Sequence, residues 1–201
     1  ANPNGWWRET AQRLLFERQD ASAVAPLRVL LESSPSELAR MHALYALDGL
    51  AALRDADLLR GLGDTAGGVR EHAVRLAAAD ELRARVFALA RDPEIRVRYQ
   101  VAFAAGGVTD EAAADVALTI LRQDAGDRWV RSAVLGTTPD QCAKLAQRVL
   151  GDVALTAGEA GRELVRQLLF VAGAQNRSAN LDAIFLSYAS TVDDVFWPAL
   201  G

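Results

Sequence analysis

Cysteine is nearly absent from this chain of 201 residues, with Cys142 standing alone. An internal disulfide and a zinc site built on paired cysteines are both excluded. Lysine is as scarce: Lys144 is the only one among 22 basic residues, so arginine carries the positive charge. Histidine occurs only at His42 and His72. Every apolar run is broken by Arg, Asp or Gly before it reaches 18 residues, so none has the length to span a membrane. The opening Ala1-Asn2-Pro3-Asn4-Gly5 lacks the parts of a signal peptide. An excess of charge is also missing. The 22 basic and 26 acidic residues leave a net −4, with 14 of each sign in residues 1–100 and 8 against 12 in 101–201. That balance gives no basic surface for a phosphate backbone, and no nucleic-acid partner is expected. What is abundant is apolar surface, 51% of residues, ample for a buried core. The abrupt ends at Ala1 and at Pro198-Ala199-Leu200-Gly201 suggest a piece of a longer protein.

The chain repeats itself. Arg8, Arg40, Arg70, Arg98, Arg131 and Arg162 recur at spacings of 32, 30, 28, 33 and 31. Six positions ahead of them stand Asn2, Ser34, Asp64, Asp92, Ala125 and Thr156. Five of these six are residue types that cap helix N-termini. Pro3, Pro35 and Pro93 follow three of them, at a point where a missing N–H costs a first helical turn nothing. Three positions after each Arg come Ala11, Ala43, Ala73, Val101, Val134 and Val165, all apolar. A capping residue, an arginine and an apolar residue one turn later describe one helix six times.

Between these helices lies a second set. Helical spacing of apolar residues predicts it over residues 21–31, 55–61, 80–90, 110–121, 139–150 and 179–190. Breakers separate the sets at Ser33-Ser34-Pro35, Gly61-Leu62-Gly63-Asp64, Gly106-Gly107 and Asp124-Ala125-Gly126. No segment alternates as a strand does. The expected fold is all-α: an α-solenoid of about six antiparallel helix pairs in a single domain, 1–201. The units run roughly 1–32, 33–62, 63–90, 91–123, 124–151 and 152–201, the last irregular or capping. Two-helix units with a period near 30 bury their apolar faces by stacking on each other.

The pattern Asp-x-x-x-x-Val-Arg-x-x-Ala, from Asp64 to Ala73 and again from Asp92 to Val101, resembles the HEAT repeat. That resemblance implies a ladder of Asp and Arg side chains along the stack, here Asp64, Arg70, Asp92 and Arg98 with Arg8, Arg40, Arg131 and Arg162. Longer stretches, among them residues 2–15, 40–50 and 69–76, resemble the HEAT region of planctomycete PVC-type haem-binding, or membrane-bound dehydrogenase-like, proteins. The likeness is best over residues 2–135. It implies a scaffold linking a sugar-dehydrogenase-like propeller to a cytochrome c domain, and an exported or periplasmic setting. One departure is informative. Cys142 is followed by Ala143-Lys144-Leu145-Ala146 and not by the Cys-His that covalent haem attachment needs. The redox and catalytic parts are therefore expected outside this chain, which is expected to bind protein domains, to carry no cofactor and to be no enzyme.

Other residues invite chemistry. His42 and His72 each follow a column arginine by two, as Thr10 and Gln100 do in neighbouring units. They fit a polar column hydrogen-bonded along the stack; the alternative is a groove for metal or haem. The run Gly61 to Gly67 imitates a dinucleotide fingerprint, but that chemistry needs a strand ahead of it, and residues 55–60 read as helix. Trp6, Trp7 and Trp129 are expected in core or inter-helix packing; the alternative is an exposed Trp6 that anchors a partner domain. Asp55 with Asp57 suits a helix start. Neither that pair nor Asp193 with Asp194 sits in a calcium-loop pattern. The basic stretch of Arg83, Arg85, Arg91, Arg96 and Arg98 is interspersed with Glu81, Asp92 and Glu94, as in a solvated face. A basic-faced DNA-glycosylase-like solenoid is the remaining alternative, which the net charge disfavours.

Overall fold

The structure, a computed structural model, describes residues 2–77, 80–106, 108, 110–137, 141–175, 182 and 184–186. Among them it is all-helical, with no strand. Two compact units divide the chain, Ala1–Gln100 and Val101–Gly201.

The first unit holds α1 (Gly5–Arg18), α2 (Val24–Ser33), α3 (Glu37–Gly49), α4 (Asp55–Leu62), α5 (Gly67–Leu76) and α6 (Arg83–Ala88), with short 3-10 turns beside α2 and α6. Its packing runs in two ranks: α1 lies on α3 and α3 on α5, while α2 lies on α4 and α4 on α6. Chain neighbours α2 and α3, and α4 and α5, also pack on each other. The core is built from Leu31, Ala43, Leu44, Leu47, Val69, Ala73 and Val74, all but sealed from solvent. Close approach has a cause at Gly61. A Cβ there would come within 2.9 Å of the Ala73 Cβ and 3.0 Å of Leu44 Cδ1, so only glycine lets α4 lie this near α3 and α5. Helix α1 is different, for none of its residues is buried.

α7 (Ile95–Gly106) follows, and the boundary at Gln100 falls within it. The second unit continues with α8 (Glu111–Asp124), α9 (Arg128–Thr137), α10 (Cys142–Leu150), α11 (Val153–Thr156) and α12 (Glu159–Gln175). Helix α8 shows how sequence makes these elements. Asp110 caps its N-terminus by accepting from the Ala113 amide at 2.9 Å, and Glu111 adds negative charge to the first turn. Ala113, Ala117, Ile120, Leu121 and Asp124 then recur at helical spacing on one buried face. In this unit α8 packs on α9 and α10, and α10 and α9 both pack on α12.

The second-set boundaries follow the sequence reading with small shifts: residues 21–31 become a 3-10 turn plus α2, and 139–150 begins its α-helix at Cys142. The segment expected over 179–190 lies largely outside the described residues, as do Asp193 and Asp194. The short α11 was not anticipated.

Candidate functional site

The arginine column is a physical object. In five of the six positions Nη1 donates to the main-chain carbonyl six residues back. Arg8 donates to Asn2 O at 2.6 Å, Arg40 to Ser34 O at 2.7 Å and Arg70 to Asp64 O at 2.8 Å. Arg98 donates to Asp92 O and Arg131 to Ala125 O, both at 2.5 Å. Arg162 reaches one residue less far, to Ala157 O at 2.8 Å. Each arginine thus ties its helix to the turn that leads into it. The residue just before each column arginine faces inward: Ala39, Val69, Val97 and Val130 are at most 1% exposed, and Gly161 is buried where a Cβ would strike the Leu155 carbonyl. Trp7, on the wholly unburied α1, is the exception at 55% exposed.

The residues six positions back do not cap the helices. True caps lie two residues later, with Asn4 accepting from the Trp6 amide, Ser36 from Ala39, and Asp127 from Trp129 and Val130. Asn2, Ser34, Asp64 and Asp92 instead accept the amide two residues on, folding the turn itself. Thr156 belongs to α11 and bonds back to the Asp152 carbonyl. Capping and turn-forming side chains use the same short acceptors, so the sequence shows the residue type without saying which amide it takes.

Two of these aspartates also bind the preceding arginine. Arg40 Nε donates to Asp64 Oδ2 and Nη2 to Oδ1, each at 2.7 Å. Arg70 holds Asp92 by the same two bonds, again at 2.7 Å. This is the bidentate geometry that makes arginine, and not lysine, the residue for such a place. Burial pushes both carboxyl pKa values up. The hydrogen bonds from Arg40 and from the Ala66 amide, with the charges of Arg40 and Arg60, outweigh that and leave Asp64 below the ordinary range. Arg70, the Glu94 amide and Arg98 do the same for Asp92. A second tie runs between α2 and α4. Arg28 Nε lies 3.2 Å from both Asp57 oxygens, and its Nη2 donates to the Ala52 carbonyl at 2.7 Å. Asp55 and Asp57 sit in the first turn of α4, as their spacing predicts.

The histidines are engaged one by one. His42 Nδ1 pairs with Gln12 Oε1 at 2.7 Å, from α3 to α1. His72 Nδ1 pairs with the Tyr45 hydroxyl at 2.8 Å, from α5 to α3, with the rings edge to face. Each histidine thus bonds along the stack, but to Gln12 and to Tyr45, which lie outside the expected column of Thr10, His42, His72 and Gln100. Burial lowers the pKa of His42, helped by Arg8 and His72 and opposed by Glu9. No group of three His, Cys, Asp or Glu side chains among the described residues is placed to hold a metal ion.

The tryptophans depart from the packing expectation. Trp6 and Trp129 are each 60% exposed; Trp6 stands edge to face with Trp7, and Arg128 lies over the Trp129 ring at 4.5 Å. Beneath Trp7 a cleft of about 200 Å³ opens between α1, α2 and α3, lined by Arg8, Gln12, Leu15, Leu27, Leu30 and His42 among others. The Gly61–Gly67 run links two helices, α4 and α5, so no strand delivers it to a pyrophosphate. In the second unit Glu111 on α8 receives Lys144 and Arg148 of α10, both at 2.5 Å. Its pKa falls to about 2 through those hydrogen bonds. Cys142 is buried, which raises its thiol pKa, and its Sγ donates to the Leu168 carbonyl. No helix is long and apolar enough to cross a membrane among the described residues. Comparison with known protein families, curated proteins and solved structures returns no match to this chain.

Proposed function

We propose that this chain is a non-catalytic HEAT-like scaffold, an α-solenoid of about six antiparallel helix pairs in one domain over residues 1–201, whose partners are protein domains. The observation that carries this reading is the arginine column. It makes the same backbone contact in successive units, and at Arg40–Asp64 and Arg70–Asp92 it joins one unit to the next. The two ranks of like helices in the first unit point the same way. Such a stack spends its polar groups on its own joints and leaves its outer surface for binding.

Exposed Trp6 and Trp7 supply large rigid apolar area of the kind that anchors protein partners. The resemblance to PVC-type haem-binding proteins names the partners to try first, a sugar-dehydrogenase-like propeller and a cytochrome c domain, and with them an exported or periplasmic setting. The groove reading with His42 and His72 is weaker, because the two Nδ1 atoms already bond Gln12 and Tyr45.

The test is calorimetric titration of the chain with each of those two domains, alongside haem and zinc titrations and a mobility shift on duplex DNA. Binding to either domain that weakens in Trp6→Ala supports the scaffold. Failure to bind both, with saturable haem, metal or DNA uptake instead, overturns it.

A further inference from the structure

A second cleft, of about 380 Å³, opens between α1 and α3. Glu9, Arg13 and Phe16 line it from the first helix, and Tyr45, Asp48 and Gly49 from the second. Its walls are fastened to each other. The Phe16 ring lies on Gly49, where an added Cβ would come within 3.1 Å of Phe16 Cδ2. The Gln19 side-chain amide donates to the Phe16 carbonyl at 2.6 Å and to the Gly49 carbonyl at 3.0 Å. Tyr45 is held by its hydroxyl, which pairs with His72 Nδ1. Two aromatic side chains thus stand fixed in the cleft, and Phe16 is 59% exposed.

The acids of the cleft are exposed and unspent. Among the described residues no ion pair engages Glu9 or Asp48, and Arg13 turns to Glu17 at 3.6 Å. Asp48 also stands in the last turn of α3, which holds no basic residue. A carboxylate there faces the negative end of the helix dipole, so the placement costs stability and a cation beside it relieves that cost. Conflicts of this kind between a residue and its local structure concentrate at functional sites. The aromatic walls favour the same charge, because the face of a ring attracts an ammonium. A divalent metal fits less well: it takes more oxygen ligands than two carboxylates give, and no group of three His, Cys, Asp or Glu side chains among the described residues is placed to hold one. The volume falls within the range of small-molecule sites, about 300–1,000 Å³. We propose that this cleft binds a small organic ammonium with an apolar body, its charge taken by Asp48 and Glu9 and its body lying against Phe16 and Tyr45. The site lies wholly in the first unit and stands whether or not the chain is a scaffold.

Phenethylammonium is the probe, with phenethyl alcohol as its uncharged counterpart, titrated calorimetrically into the whole chain. The ammonium is expected to saturate, and the alcohol to bind about fivefold more weakly or worse. Asp48→Asn should weaken the ammonium by about threefold or more. The same substitution removes the clash with the helix dipole, so the melting temperature should hold or rise. Lost binding with kept stability is a result that a purely structural Asp48 would not give. Arg13→Gln removes the basic residue of the wall and should tighten binding. Absence of saturation, equal binding of phenethyl alcohol, or undiminished affinity in Asp48→Asn would each overturn the proposal.

Discussion

Arg40 is bound on two sides: one nitrogen holds the Ser34 carbonyl at the foot of its own helix, and the other two hold the Asp64 carboxylate of the following unit. Both side chains are buried, Asp64 to 1% exposure and Arg40 to 9%. Removing one member of such a pair strands the other's charge in a poorly solvated place. Arg40→Ala is expected to destabilise the first unit by about 3 kcal/mol, read from urea denaturation. Arg40→Lys is expected to recover little, since an ammonium cannot make both in-plane bonds.

Arg70 with Asp92 is the same joint, slightly more open at 12% and 3% exposure. Arg70→Ala is expected to cost less, about 1–3 kcal/mol, and Arg98→Ala a comparable amount through its lost bond to the Asp92 carbonyl. Unchanged melting of both variants would refute the structural role of the column.

Acid should dissolve these joints. Asp64 and Asp92 have folded-state pKa values below their unfolded ones, so both contribute stability above the unfolded value, about 3.9. That contribution is lost as pH falls from there through the folded pKa. The steepest loss of thermal stability is expected below about pH 4, and a smaller one in Asp64→Asn, which has already lost the charge.

His42 predicts a milder slope nearer neutrality. Burial favours its uncharged ring, so its folded pKa lies below the unfolded value of about 6.5. Below that pH the unfolded chain takes a proton that the native chain resists, and stability falls until pH passes the folded pKa. His42→Gln should flatten the part of a melting-temperature profile that lies just below about pH 6.5.

Two glycines should respond to alanine with opposite signs. In Gly61→Ala the new methyl meets Ala73 and Leu44 at 3.0 Å or less, and about 1–3 kcal/mol of destabilisation is expected. Gly68, in the first turn of α5, has nothing within 4 Å of an added Cβ. Gly68→Ala should gain roughly 0.4–1 kcal/mol by restricting the unfolded chain. Thermal melts of the two variants measure both.

The sequence conveys the helices well because Val69 and Ala73, or Val97 and Val101, must recur at helical spacing to face inward. It also conveys the arginine column, since only a repeated structure keeps one residue type at intervals near 30. The HEAT resemblance implies a ladder that includes Asp64, but the sequence hides which arginine Asp64 holds, because the reach from Arg40 to a residue 24 positions on depends on how turns stack, which no local pattern encodes. Tyr45 and Gln12 escaped for the same reason: they meet His72 and His42 across helices, at different offsets from their own arginines. Trp7 departs from the pattern: its position is interior in other units, whereas no residue of α1 is buried.

The two-sided grip of the arginines makes the units exchangeable couplings. Excising residues 64–91 would place Asp92 in the position Asp64 vacates, ready for Arg40, with the Asp92 carbonyl still held by Arg98. A shortened chain cut in that register closes its seam with matched charges, whereas a cut a few residues out of step leaves an orphan acid facing an orphan base. Growth and loss of whole units is thus the easy direction of change for this protein, and slippage by a residue the difficult one.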